Sequence, residues 1–73
     1  MKFAYVKWID ACSVDTEIRE ENIPREMIME TAGILVKSDH EGVIIAQDLL
    51  DDGRYRQTIS IPKLYIKKKK ILK

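Results

Sequence analysis

Residues 43–61 read "VIIAQDLLDDGRYRQTISI", and the way this stretch folds back on itself decides the architecture of the chain. Two runs rich in β-branched residues flank Asp51-Asp52-Gly53, a turn composition. A two-residue loop at Asp52-Gly53 would set Leu49 against Arg56 and Asp48 against Gln57. A three-residue loop with Gly53 in the left-handed conformation does better. It pairs Leu49 with Tyr55, Ile45 with Ile59 and Val43 with Ile61 on one face. On the other face it pairs Asp48 with Arg56 and Ala46 with Thr58. Like meets like and opposite charges meet, so the three-residue loop is expected.

The same logic extends outward. "MIMETAGILVK" precedes "SDHEG", a second turn composition. A four-residue loop, Ser38–Glu41, followed by Gly42, pairs Val36 with Val43 and Ile34 with Ile45. The inner face then holds Ile34, Val36, Val43, Ile45, Tyr55, Ile59 and Ile61. Leu35 and Ile44 face outward opposite each other, with Leu50 on the same side. An aliphatic cluster of this kind predicts a buried contact with a second copy or another protein.

Two segments complete the chain. Lys2–Ile9 is rich in aromatic and β-branched residues and reads as a strand. "DACSVDTEIREENIPRE" is polar, acidic and broken by Pro24, so it reads as a long loop with room for one helical turn capped by Asp15. In "IPKLYI", Pro62 cannot donate to a ladder and suits the end of a strand. A 3₁₀ turn over Lys63–Tyr65 then feeds a last strand, Ile66–Leu72. The prediction is an all-β fold, a small five-stranded SH3-like or Sm-like barrel with a long first loop and a 3₁₀ turn before the last strand. An open five-stranded OB-type sheet is the alternative.

"VKWIDACS", "GILVKSDHEGVIIAQDL" and "ISIPKLYI" together resemble short proteins of bacteriophages and prophages. Those share a Trp-x-Asp near the start, a Gly-x-Leu-Val strand and a late Ile-Pro. The matching positions here are Trp8, Asp10, Gly33, Leu35, Val36, Ile61 and Pro62. The resemblance implies a phage-type accessory protein and little chemistry. Sm-like proteins are more loosely similar: the glycine-bearing strand and the late basic strand fit, while the asparagine and arginine nucleotide contacts of that family are not evident.

Seventy-three residues bury one core, so residues 1–73 are read as a single domain. Folding removes roughly 60–65% of the extended chain's surface, which leaves marginal stability that oligomerisation would supplement. No apolar run exceeds four residues, too short for a transmembrane helix, and Lys7 and Asp10 interrupt the only stretch placed like a signal peptide. Cys12 is the one cysteine. With no disulfide partner it points to the reducing cytoplasm, the host's if the chain is phage-encoded.

Charge is sorted along the chain. Residues 10–30 carry seven acids against two arginines, a net −5; residues 54–73 carry eight cations and no acid. Read as a strand, the C-terminal Ile66–Lys73 mixes lysine with aliphatic residues on each of its two faces. This suits an edge strand blunted against aggregation, with Ile66, Lys68, Lys70 and Leu72 on one face. Alternatively, Arg54, Arg56, Lys63, Lys67, Lys68, Lys69 and Lys70 form a phosphate-binding strip whose affinity falls with salt. Catalysis finds no constellation. His40 sits in a turn with Asp39 and Glu41, Cys12 lacks a base and an oxyanion turn, and Asp51 and Asp52 belong to their own turn. No metal spacing and no cofactor loop is present. The expectation is a small non-enzymatic interaction module that self-associates, with a nucleic-acid-binding barrel as the alternative.

Overall fold

The computed structural model describes residues 1–10, 17–22 and 26–72. Five antiparallel strands, β1 (Phe3–Asp10), β2 (Met27–Asp39), β3 (Gly42–Leu49), β4 (Tyr55–Pro62) and β5 (Ile66–Leu72), form one sheet. Their order is β4-β3-β2-β1-β5, which leaves β4 and β5 as its edges. A 3₁₀ turn, Glu20–Asn22, lies in the long β1–β2 connection, and a second, Lys63–Tyr65, joins β4 to β5. Asp15, expected to cap a turn, lies outside the described residues, as do Cys12, Pro24, Arg25 and Lys73.

The β3–β4 hairpin has the register that matching side chains demanded. Val43 pairs with Ile61, Ile45 with Ile59, Ala46 with Thr58, Asp48 with Arg56 and Leu49 with Tyr55. Gly53 takes φ +90° and its N–H donates to the Leu50 carbonyl at 3.0 Å, while Leu50 N–H donates to Arg54 at 2.8 Å. The late elements also fall where Pro62 placed them. Pro62 ends β4 and Lys63–Tyr65 turns the chain into β5.

The β2–β3 turn corrects the expectation. Asp39 pairs with Gly42, so the loop is His40-Glu41 alone, not Ser38–Glu41. Neither His40 nor Glu41 takes a positive φ. Asp at the first position and Gly at the fourth suit a type I turn, and the Asp39 carboxylate accepts the Glu41 N–H at 2.9 Å. Type I geometry matches strand twist poorly, and the ladder slips one residue between Leu35 and Lys37. Leu35, not Ile34, therefore stands opposite Ile45 and packs against the core. The pairings of Val36 with Val43 and of Leu35 with Ile44 do not occur.

The last strand carries a second slip. Lys7 pairs with Lys68 but Trp8 with Ile66, so Lys67 bulges. Ile66 is thereby turned to the core side, where it packs, and leaves the face of Lys68, Lys70 and Leu72. Burying Ile66 beside Trp8 decides the matter, since strict alternation would have put it in solvent.

The core is small: Ala4, Val6, Trp8, Val43, Ile45 and Ile61 form one buried cluster, flanked by Met29, Leu35, Ile59 and Ile66. Trp8 donates its indole N–H to Thr31 Oγ1 at 2.9 Å, which satisfies the ring's polar atom without exposing the ring. The sheet curls until the β2–β3 end meets the other side: Lys69 Nζ donates to Ser38 Oγ and Lys63 N–H to the Glu41 carbonyl, each at 2.9 Å. Gly33 permits the curl. A Cβ there would lie 2.6 Å from the Ala46 carbonyl oxygen and 2.8 Å from Ile45 Cγ2. Gly53 matters differently, since a Cβ meets nothing but the positive φ is strained. Urea denaturation should separate the two: Gly53→Ala costs about 1 kcal/mol, and Gly33→Ala costs more, about 1–3 kcal/mol from overpacking.

Candidate functional surfaces

The aliphatic cluster expected on the outer face is not assembled. Leu35 belongs to the core side. Ile44, half-buried opposite Ser60, lines a shallow pocket of about 190 Å³ with Lys37, Asp39 and Pro62. Leu50 lies beyond the end of β3, six residues and roughly 20 Å along the strand from Ile44. The one-residue slip at Val36 is the cause, because it moves alternate side chains of β2 to the opposite face.

A different apolar surface appears instead. The β2 ladder on β3 stops at Ala46, and beyond it β3 and β4 continue as a two-stranded arm. Leu49 and Tyr55 pair on the arm's core-facing side, yet they are 40% and 43% exposed because among the described residues no strand lies over them. Gln47 holds the arm's root by donating its side-chain amide to the Ala32 carbonyl at 3.2 Å. Sequence matching placed Leu49 and Tyr55 on the inner face correctly but put core beneath them. The length of the β3–β4 ladder relative to its overlap with β2 was the missing signal.

The seven cations of the expected strip are also divided. Arg54 Nε is 2.7 Å from Asp52 and Arg56 Nε is 3.1 Å from Asp48. Both arginines are thus locally neutralised on the arm, and Arg56 lies about 20 Å along β4 from Pro62. Lys63 and Lys69 line a small cavity with Asp39, Gly42 and Ile66. Lys67 bulges between the faces. Lys68 and Lys70 alone share the outer face, where the β1–β5 register adds Lys7 beside Lys68 and Tyr5 beside Lys70. Phe3 follows beside Leu72, these two being 46% and 48% exposed.

Two ionisable groups near these surfaces are perturbed. Tyr5 donates its hydroxyl to Glu30 across the β1–β2 pair, and that hydrogen bond, with a lesser desolvation effect, raises its pKa. Asp39 is held below the usual carboxylate range, first by the Glu41 N–H and further by Lys37 at 3.5 Å. A cleft of about 570 Å³ is lined by Trp8, Ile59, Pro62 and Tyr65 together with Asp10 and Glu26. His40 is exposed, 3.8 Å from the equally exposed Glu41. Among the described residues no group of three or more His, Cys, Asp or Glu is placed to hold a metal. Among the described residues no helix is long and apolar enough to cross a membrane.

No protein-family model matches this chain, and comparison with curated proteins and with solved structures finds no match either.

The Tyr5–Glu30 bond has a measurable consequence. A raised phenol pKa means the bond's contribution is complete below the ordinary tyrosine range and is lost as pH rises through the folded value. In an ultraviolet titration, one of the three tyrosines should ionise later than the ordinary phenol range. Glu30→Gln should bring it back toward that range.

Proposed function

We propose that the chain is a small non-enzymatic interaction module that assembles with copies of itself through the β3–β4 arm. The observation that carries the reading is surface. The accessible area is 6067 Å², against about 4,700 Å² for a compact monomer of this mass. The radius of gyration is 15.0 Å, against about 11 Å for 73 compact residues. A standard interface removes about 800 Å² from each partner, so the excess of about 1,400 Å² is enough for one such contact with some to spare.

The arm is the favoured place for that contact. An isolated two-stranded hairpin is marginal in water, and this one presents Leu49 and Tyr55 with the half-buried Leu50 at its tip. The neutralised Asp52–Arg54 and Asp48–Arg56 pairs let two arms approach without net repulsion. A second copy is the natural occupant, since a twofold contact places the same apolar pair on both sides. The five-stranded order and the 3₁₀ turn before β5 support reading the curled sheet as an SH3-like small barrel closed by side chains. The resemblance carried by Trp8, Asp10, Gly33, Leu35, Val36, Ile61 and Pro62 supports a phage-type accessory role in the host cytoplasm.

Size-exclusion chromatography with light scattering tests the assembly. The wild type should give a mass that is a multiple of 8.5 kDa, and Leu49→Ser/Tyr55→Ser should give the monomer with an unchanged circular dichroism spectrum. A monomeric wild type at every concentration, or an assembly that the double substitution leaves intact, would overturn the proposal.

A further inference from the structure

We infer that the outer face of β5 and β1 is a binding platform for single-stranded nucleic acid, with Phe3 as a stacking surface and Lys7, Lys68 and Lys70 as phosphate contacts. Three observations meet there. First, the register sets Lys68 directly opposite Lys7, and Lys70 follows two residues along on the same face. Like charges directly opposite destabilise a strand pair. No hydrogen bond or ion pair to a protein acceptor ties down any of these three ammonium groups among the described residues. A bound anion between them would relieve the repulsion.

Second, the carboxylate that borders the row already accepts a hydrogen bond from Tyr5 and forms no ion pair with Lys7. Glu30 closes the row on the β2 side of Lys7. Its Oε1 accepts the Tyr5 hydroxyl.

Third, the basic row runs into an apolar one: Leu72, Phe3 and Ile34 stand side by side across β5, β1 and β2. Phe3 is 46% exposed at the centre of that row, on a strand whose alternate residues Ala4, Val6 and Trp8 are buried. The ring therefore stands on the outer face between Leu72 and Ile34 with nearly half of its surface open. Base–aromatic stacking needs such a ring and tolerates any base. Lys68 and Lys70 are about 6.8 Å apart along β5, a spacing comparable to that of successive phosphates on an extended single strand. A strand face with one half-exposed ring offers no helix or loop to enter a duplex groove, whereas it suits unstacked bases.

This platform lies on the sheet face opposite the apolar pair of the arm, so the inference does not depend on self-association. It also differs from a strip along the whole basic half, because Arg54 and Arg56 are excluded by their acids.

The test is fluorescence anisotropy with a labelled mixed-sequence single strand, its duplex, and anionic phospholipid vesicles at low and moderate salt. The single strand should bind more tightly than the duplex. Three phosphate contacts predict a logarithmic salt slope of about −2. Phe3→Ala should weaken binding about tenfold and Phe3→Trp should preserve it. Lys68→Glu is the decisive variant. It replaces the like-charge neighbour of Lys7 with an opposite one, so the protein should fold at least as stably in urea while losing at least tenfold in affinity. Arg54→Gln should leave binding unchanged. Absence of binding at low salt, equal affinity for duplex, capture by vesicles instead of the single strand, or full affinity in Lys68→Glu would each overturn the inference.

Discussion

Ile45 is wholly buried between Leu35 on β2 and Ile59 on β4, and this cross-strand row is what the rest of the sheet depends on. β3 is the strand that both hairpins share, so its side chains set the register of each neighbour. Shifting either neighbour by one residue would exchange an aliphatic partner of Ile45 for a residue of the other face. Each fully buried aliphatic residue contributes about 1.5–3 kcal/mol, and a core of this size has few of them. Marginality follows directly, and with it the pressure to cover apolar surface elsewhere.

The same curl that closes the core creates the exposed surfaces. β2 turns away from β3 at Gly33 to pair with β1, because only a residue without Cβ lets the Ala46 carbonyl come so near. The β3–β4 hairpin is longer than its overlap with β2 and continues alone into the arm. One constraint thus yields both the buried row and the unsupported pair Leu49 and Tyr55. Charge is distributed by a similar local logic. The arm neutralises its own arginines through Asp48 and Asp52, while Lys68 and Lys70 of β5 lie beside Lys7 and Tyr5 on the outer face. The face on which Lys7, Lys68 and Lys70 make no ion pair among the described residues is the one that also carries Phe3.

The parts of the fold legible in advance are those governed by nearest neighbours. Asp51-Asp52-Gly53 specifies its own loop because only one loop length brings Asp48 to Arg56 and Ile45 to Ile59, and Gly53 supplies the positive φ. Pro62 marks the end of β4 for an equally local reason, having no N–H to give. The β2–β3 turn misled because the ladder that forms sets Lys37 against Ile44 and Ser38 against Val43, pairs that matching like with like would not choose. The Asp39 carboxylate on the Glu41 N–H tipped the choice, and a ladder slip at Val36 absorbed the mismatch. At β5, the bulge at Lys67 brings Ile66 to Trp8, a contact between residues nearly sixty positions apart that alternation alone cannot foresee.

The candidate surfaces divide along the same line. Composition and pattern alone established an all-β chain with a basic end, since these follow from residue type and period. They also identified Lys68 and Lys70 as exposed cations, because lysine on an edge strand stays in water wherever the strand lies. Which cations stand together was decided only by the tertiary structure: Lys7 joins Lys68 through long-range register, and Arg54 and Arg56 are withdrawn by pairing on the arm. So too with Leu35, which packs inside, and with Leu49 and Tyr55, which point toward a core that ends before it reaches them. Alternation states which side of a strand a residue occupies; only the extent of the neighbouring strands states whether anything lies on that side.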